Sequence, residues 1–139
     1  MKPSRCVLVA VAVALSSTPV AGATFNKNAE VEDIAHGMTA SGIAVACQLR
    51  TPEWRKSVLL GYFVTARLGV MTEHQDASDE EINAEATKML QAAKVQAALH
   101  AQFAAPTRAQ CDTLNASHDM QEMDAAAKIG LLFGAVNSP

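Results

Sequence analysis

The apolar and polar positions repeat at helical spacing over most of the chain. The clearest stretch begins at Ser78. Ser78 followed three residues later by Glu81 has the form of a capping box, and Asp79, Glu80 and Glu81 occupy a first turn where the helix dipole favours negative charge. Ile82, Ala86, Met89, Leu90, Ala93, Ala97 and Ala101 then share one face, while Asn83, Thr87, Gln91 and Lys94 fall away from it. The pattern predicts a helix from Asp79 to Phe103, alanine-rich enough for close neighbours and expected to be the one the others pack around.

Upstream, Thr51-Pro52-Glu53 supplies a cap, a proline at the first helical position and an acid. The helix it starts is expected to run to Arg67 or Leu68 and stop at Gly69. Val58 to Ala66 is apolar nearly all round, so periodicity alone leaves a buried strand open. The start signal and the lack of a partner strand favour helix. Before it, Asn28 is expected to cap a helix with Glu30, Glu32 and Asp33 in its first turn. Val31, Ile34, Met38, Gly42, Val45 and Leu49 form its stripe, and Ile43 and Cys47 lie on a second apolar side. Val70 to Ala77 reads as the longest polar connection. Pro106 to Asn115 reads as a short helix, and Ser117 as the cap of a last one whose inner stripe is Met120, Met123, Ala127 and Leu131, with Gly130 and Gly134 letting it fray. The fold class expected is all-α: a small bundle of four main helices and one short helix. Aromatic residues make up only 4% of the chain, so Leu, Val, Met and Ala must fill the core, which suits helices over a β-sandwich.

The first 23 residues stand apart. Lys2 and Arg5 precede an apolar run from Cys6 to Leu15, too short to span a bilayer. Ser16 to Pro19 ends the run, and Ala21-Gly22-Ala23 has the small-residue form cut by signal peptidase. The reading is a secretory signal with cleavage near Ala23, a single helical domain over residues 24–139, and a periplasmic or secreted location. Cys6 precedes the apolar run and is not placed as a lipoprotein cysteine. The later apolar run Ile129 to Val136 is too short to cross a membrane.

Losing Lys2 and Arg5 with the leader takes the net charge from −3 to −5, a balance that argues against nucleic acid or anionic lipid as partner. It also leaves two cysteines, Cys47 and Cys111. An even count in an exported chain predicts a disulfide between them.

Catalytic motifs are missing from the sequence. His36, His74, His100 and His118 are the metal candidates, but no HExxH or CxxC occurs, and His118 with Glu122 is an isolated i, i+4 pair. The acids from Asp76 to Glu81 lack the glycine and spacing of a calcium loop and suit a helix start better. No GxSxG elbow, phosphate loop or haem attachment site appears. The expectation is no enzyme, no metal and no cofactor. Met38, Met71, Met89, Met120 and Met123 suit core gaps better than an adaptable binding surface. Asn115-Ala116-Ser117 matches a glycosylation sequon.

Two family resemblances accompany this reading. Cys111, Leu114, Ser117, Asp119 and Met120 resemble the C-terminal pattern of the Tai4-type immunity proteins of type VI secretion, and Cys47 resembles their first cysteine, near the end of an N-terminal helix. The similarity covers about a third of the mature chain. It implies a small, periplasmic, one-disulfide helical protein that blocks a peptidoglycan amidase toxin. The order Cys47, Gly61-Tyr62-Phe63, Cys111 is similar to the HdeA-type acid-stress chaperones, although these cysteines stand wider apart and the chain ends are not strongly basic.

The leading expectation is therefore a non-enzymatic exported protein that binds another protein, as an immunity-type inhibitor occluding a cell-wall amidase. Glu73, His74 and Asp76, in the polar connection, are its candidate partner-binding residues. The alternatives are an HdeA-like chaperone and a structural or small-ligand-binding bundle. Self-association as a homodimer stays open.

Overall fold

The computed structural model describes residues 24–101 and 104–138. Five helices occupy them: α1 (Lys27–Ala46), α2 (Pro52–Glu73), α3 (Asp79–Leu99), α4 (Arg108–Asn115) and α5 (His118–Asn137). Among the described residues there is no strand, so Val58 to Ala66 is helix. The predicted leader and residues Gln102 and Phe103 lie outside the described residues.

Each helix opens on a side chain that accepts a hydrogen bond from the backbone N–H three residues on. Asn26 takes Ala29, Thr51 takes Trp54, Ser78 takes Glu81, Thr107 takes Gln110 and Ser117 takes Met120. Each cap satisfies an orphan donor and contributes about 1 kcal/mol. The caps at Ser78 and Thr107 are completed by Glu81 and Gln110 reaching back to the cap N–H.

Four boundaries differ from the sequence reading. The cap of α1 is Asn26, not Asn28. The earlier start lets Lys27 pair with Glu85 of α3 and sets Phe25 against α2. Helix α2 does not stop at Gly69. A Cβ there would lie 2.6 Å from atoms of the Phe25 ring, so the glycine admits a side chain and the helix continues to Glu73. Helix α3 ends at Leu99, short of Phe103. Its last residues, Ala98 and Leu99, are exposed, so no packing supports further turns. Helix α4 begins at Arg108 rather than Pro106, because Thr107 is the residue that caps it.

The bundle is organised around α1 and α2, not α3. Helix α1 meets all four other helices and α2 meets α1, α3 and α5, whereas α3 meets only α1 and α2. The closest packing is between α2 and α5, which run in the same direction. Trp54, at the start of α2, meets Asp124 in the first half of α5, and Phe63, in the middle of α2, meets Phe133 in the second half of α5, ring centroids 6.4 Å apart. At the crossing two glycines face each other. A Cβ on Gly61 would lie 2.6 Å from the Ala126 carbonyl carbon, and one on Gly130 would lie 2.9 Å from that of Ser57. Gly130 therefore belongs to the core contact and does not fray the helix. Because α5 touches α2 through Met123, Ala126, Ala127 and Gly130, Leu131 rotates off the contact line and is 63% exposed, contrary to its predicted inner position.

The core forms two clusters on either side of the α1–α2 pair. One joins Val31, Ile34 and Met38 of α1 with Ala66 and Val70 of α2 and with Ile82, Ala86, Met89 and Ala93 of α3. The other joins Ala40 and Ala44 of α1 with Val58 of α2 and with Met120, Met123, Ala126 and Ala127 of α5. Four of the five methionines singled out above are core; Met71 is exposed. Helix α1 closes with a Schellman motif, in which Leu49 N–H bonds Ala44 O and Gln48 N–H bonds Val45 O. Gln48 takes the left-handed position with φ of 59°. The disulfide forms as expected: Cys47, at the end of α1, is bonded to Cys111 of α4, with Cα atoms 5.6 Å apart.

Candidate functional site

The predicted partner-binding residues gather at one end of α2. Glu73 is the last residue of α2, His74 caps it through an N–H bond to Val70 O, and Asp76 stands in the turn before Ser78. Glu73 and His74 approach to 3.9 Å, and all three are exposed. With Glu81 and Glu85 they border a shallow depression of about 520 Å³. Two of its acids, Glu81 and Glu85, are already engaged in the fold. The Ser78 backbone N–H and hydroxyl hold the Glu81 carboxyl below its ordinary range, and the Lys27 ammonium does the same for Glu85. The polar connection is also shorter than predicted, because Val70 to Glu73 remain helical.

A second feature brings together residues far apart in sequence. The middle of α1, the start of α5 and one side of α2 enclose a groove of about 440 Å³. Its floor is apolar, formed by Ile34, Gly37, Met123, Ala126 and Ile129, with the Tyr62 ring lying across it. A Cβ on Gly37 would come within 2.7 Å of that ring, so the glycine makes room for the phenol. The rim carries Glu30 and Asp33 from α1 and Asp119 and Glu122 from α5, and no Lys or Arg lines it.

Two histidines engage this rim. His36 Nε2 lies 2.8 Å from Asp119 Oδ2, bridging α1 and α5, and His118 Nε2 lies 3.2 Å from Glu122 Oε1 along α5. The other carboxylates concentrate negative potential over a partly desolvated surface. Burial, and then the neighbouring Asp33, push the Glu30 carboxyl above its ordinary value. Burial pushes the Tyr62 phenol up to about 12, aided by Glu122, Asp119 and Asp33. Tyr62 is therefore a neutral phenol at physiological pH. Among the described residues no group of three or more His, Cys, Asp and Glu side chains converges as a metal site. The arrangement suits a cation with an aliphatic stem, as a Lys or Arg side chain has: an apolar floor for the stem and carboxylates for the head.

A polar clamp holds α5 in position beside the groove. Arg50, in the α1–α2 connection, donates from Nε and Nη2 to the two oxygens of Asp124 at 3.0 and 2.7 Å. Trp54 Nε1 donates to the same carboxylate at 2.8 Å, and the guanidinium stands 5.8 Å from the Trp54 ring centroid. Arg50 first, together with Trp54, holds the Asp124 carboxyl below its ordinary range.

Sequence reasoning singled out His118 with Glu122; Glu122 lines the groove and His118 pairs with it from outside. It missed Tyr62, His36 and Asp119 as one site, because their meeting depends on how α1, α2 and α5 are arranged. Hydrophobic residues flanking isolated acids on α1 and α5 were the available signal, and they mark a helix surface equally well. The chain matches no protein-family model, no curated protein and no solved structure.

Proposed function

We propose that this chain is an exported, non-catalytic domain that binds another protein, acting as an immunity-type inhibitor that occludes a cell-wall amidase. The observation that carries the reading is the acid-rimmed groove between α1 and α5, which has an apolar floor and no Lys or Arg among its lining residues. Such a surface complements a basic, aliphatic anchor on a partner, and a few buried anchors provide most of the affinity of an interface. The helical fold, the disulfide and the leader-like first 23 residues agree with a protein that works outside the cytoplasm. The Glu73–His74–Asp76 end of α2 is the other candidate contact, as a projecting element that enters the hydrolase cleft.

Calorimetric titration against an amidase encoded beside this chain tests the reading. Tight binding near equimolar ratio is expected. Asp33→Lys with Glu122→Lys abolishes it if the groove is the grip, and Glu73→Ala with Asp76→Ala abolishes it if the loop is. Binding that survives both pairs refutes both surfaces, and no binding to such a hydrolase refutes the inhibitor reading.

One observation favours a second reading, an HdeA-like holdase chaperone. Val95 and Leu99 on α3 and Leu131, Leu132 and Val136 on α5 are large apolar side chains left between 62% and 82% exposed. A client-binding protein presents such surface and gains more as carboxylates protonate. Dye binding and suppression of aggregation at about pH 3 against about pH 7 separate the two, since only the chaperone gains both in acid.

A further inference from the structure

We propose that the cleft between the C-terminal halves of α1 and α3 is a binding site for an aliphatic carboxylate, its head group held by Arg55 and Lys94. The cleft measures about 510 Å³, within the range of small-molecule sites. Met38 and Ile43 of α1 form one wall. Ala97 and Ala98 of α3 and Ala105 beyond it form the other, and among the described residues these short side chains leave the space open.

Arg55 reaches the cleft from α2 and is fixed there. Its Nε donates to Ser41 Oγ and its Nη2 to Met38 O, both at 3.3 Å. Ser41 has no exposed surface and donates in turn to Met38 O at 3.0 Å. The guanidinium lies over Gly42, where a Cβ would stand 3.5 Å from Nη2. One edge of the fork is thus committed to the protein. The other edge, Nη1 with the outer hydrogen of Nη2, has no acceptor among the described residues and matches the two oxygens of a carboxylate.

Among the described residues neither Arg55 nor Lys94 has a carboxylate within 4.0 Å, and residues 1–23, 102, 103 and 139 include no Asp or Glu. A half-buried guanidinium that is always charged and pre-oriented costs desolvation that an incoming anion offsets. Two cations beside an alanine-walled cleft therefore select a ligand with one anionic head and an aliphatic body. This site is separate from the acid-rimmed groove and opposite in sign, so it does not rest on the inhibitor reading.

Sodium decanoate is the probe, followed by calorimetry and by amide chemical shifts, with sodium acetate and decyltrimethylammonium as controls. One saturable decanoate site is expected, with shifts centred on Met38 to Ile43 and Lys94 to Ala98. Lys94→Gln and Arg55→Met should each weaken it at least about tenfold, the loss expected of one charge-assisted contact. Ala98→Leu, which fills the cleft and leaves both charges in place, should weaken it comparably. Acetate and decyltrimethylammonium should bind far more weakly. Circular dichroism identifies any loss of fold in Arg55→Met; Lys94 and Ala98 are exposed, so their variants report binding alone. The proposal is overturned by the absence of a saturable site, by equal affinity for decyltrimethylammonium, or by unchanged affinity in Lys94→Gln and Ala98→Leu.

Discussion

Replacing Gly61 or Gly130 with alanine should destabilise the protein, although alanine is the better helix former. In an unencumbered helix interior the exchange gains about 1 kcal/mol. At Gly61 the added Cβ would lie 2.6 Å from the Ala126 carbonyl carbon and closer still to its oxygen. Those atoms are backbone and cannot rotate away. Restoring an ordinary carbon–carbon contact of about 3.5 Å moves α5 outward by roughly 1 Å, a gap that forfeits a quarter to a half of the dispersion energy of each contact it opens. The contacts at risk are those among Val58, Met123, Ala126 and Ala127. Overpacking of this kind costs about 1–3 kcal/mol and occasionally more. With the whole α2–α5 seam displaced, the upper part of that range applies, and the net effect after the propensity gain is a loss of about 2 kcal/mol. Gly42 is the control. A Cβ there meets nothing closer than 3.5 Å, so Gly42→Ala should stabilise by up to about 1 kcal/mol. Urea unfolding followed by far-ultraviolet circular dichroism, with the disulfide intact, reads both. Gly61→Ala and Gly130→Ala together should cost less than the sum of the two, because one substitution already separates the helices at the shared crossing. If Gly61→Ala is as stable as the parent chain, the glycine crossing is not what sets the distance between α2 and α5.

Three further outcomes follow from the geometry. Gln48 occupies a left-handed backbone position, so Gln48→Gly should raise stability by about 1 kcal/mol in urea unfolding. Asp124 titrates below its ordinary range in the folded protein, so its contribution is fully present above the unfolded-state value near 3.8 and is lost as pH falls through the lower folded value. Asp124→Asn should therefore cost about 1 kcal/mol at neutral pH, kept modest by solvent screening, and the gap to the parent chain should close in strong acid when unfolding midpoints are compared across pH. Reduction of Cys47–Cys111, 64 positions apart, should add 2 Da in mass spectrometry, and the loop-entropy relation gives a stability loss of about 4 kcal/mol at that separation.

The local signals in this sequence were dependable at three of the five helix starts; Asn28 and Pro106 were each displaced from the true cap. Ser78 with Glu81, Thr51 with Pro52, and Ser117 each mark a helix start because the cap is a contact within one turn. The disulfide was legible because two cysteines remain once the first 23 residues are set aside. Gly69 and Gly130 were misread for a common reason. A glycine that ends a helix and one that admits a neighbour look alike in sequence, and only the position of Phe25 or Ser57 separates them. The hub was misplaced because α3 has the more regular pattern, whereas α1, with two apolar sides, and α2, apolar nearly all round from Val58 to Ala66, have neighbours on several sides. The groove was the least legible feature. Asp33, Tyr62 and Glu122 each sit beside ordinary core positions, and nothing local announces that three helices bring them to one rim.

The decisive measurement for the proposed function is peptidoglycan digestion by a cell-wall amidase, should one be encoded beside this chain, with the purified chain added stepwise. The account predicts that digestion stops near equimolar protein and resumes in full when Asp33 and Glu122 carry the opposite charge. Unimpeded digestion with the parent chain in excess would contradict it.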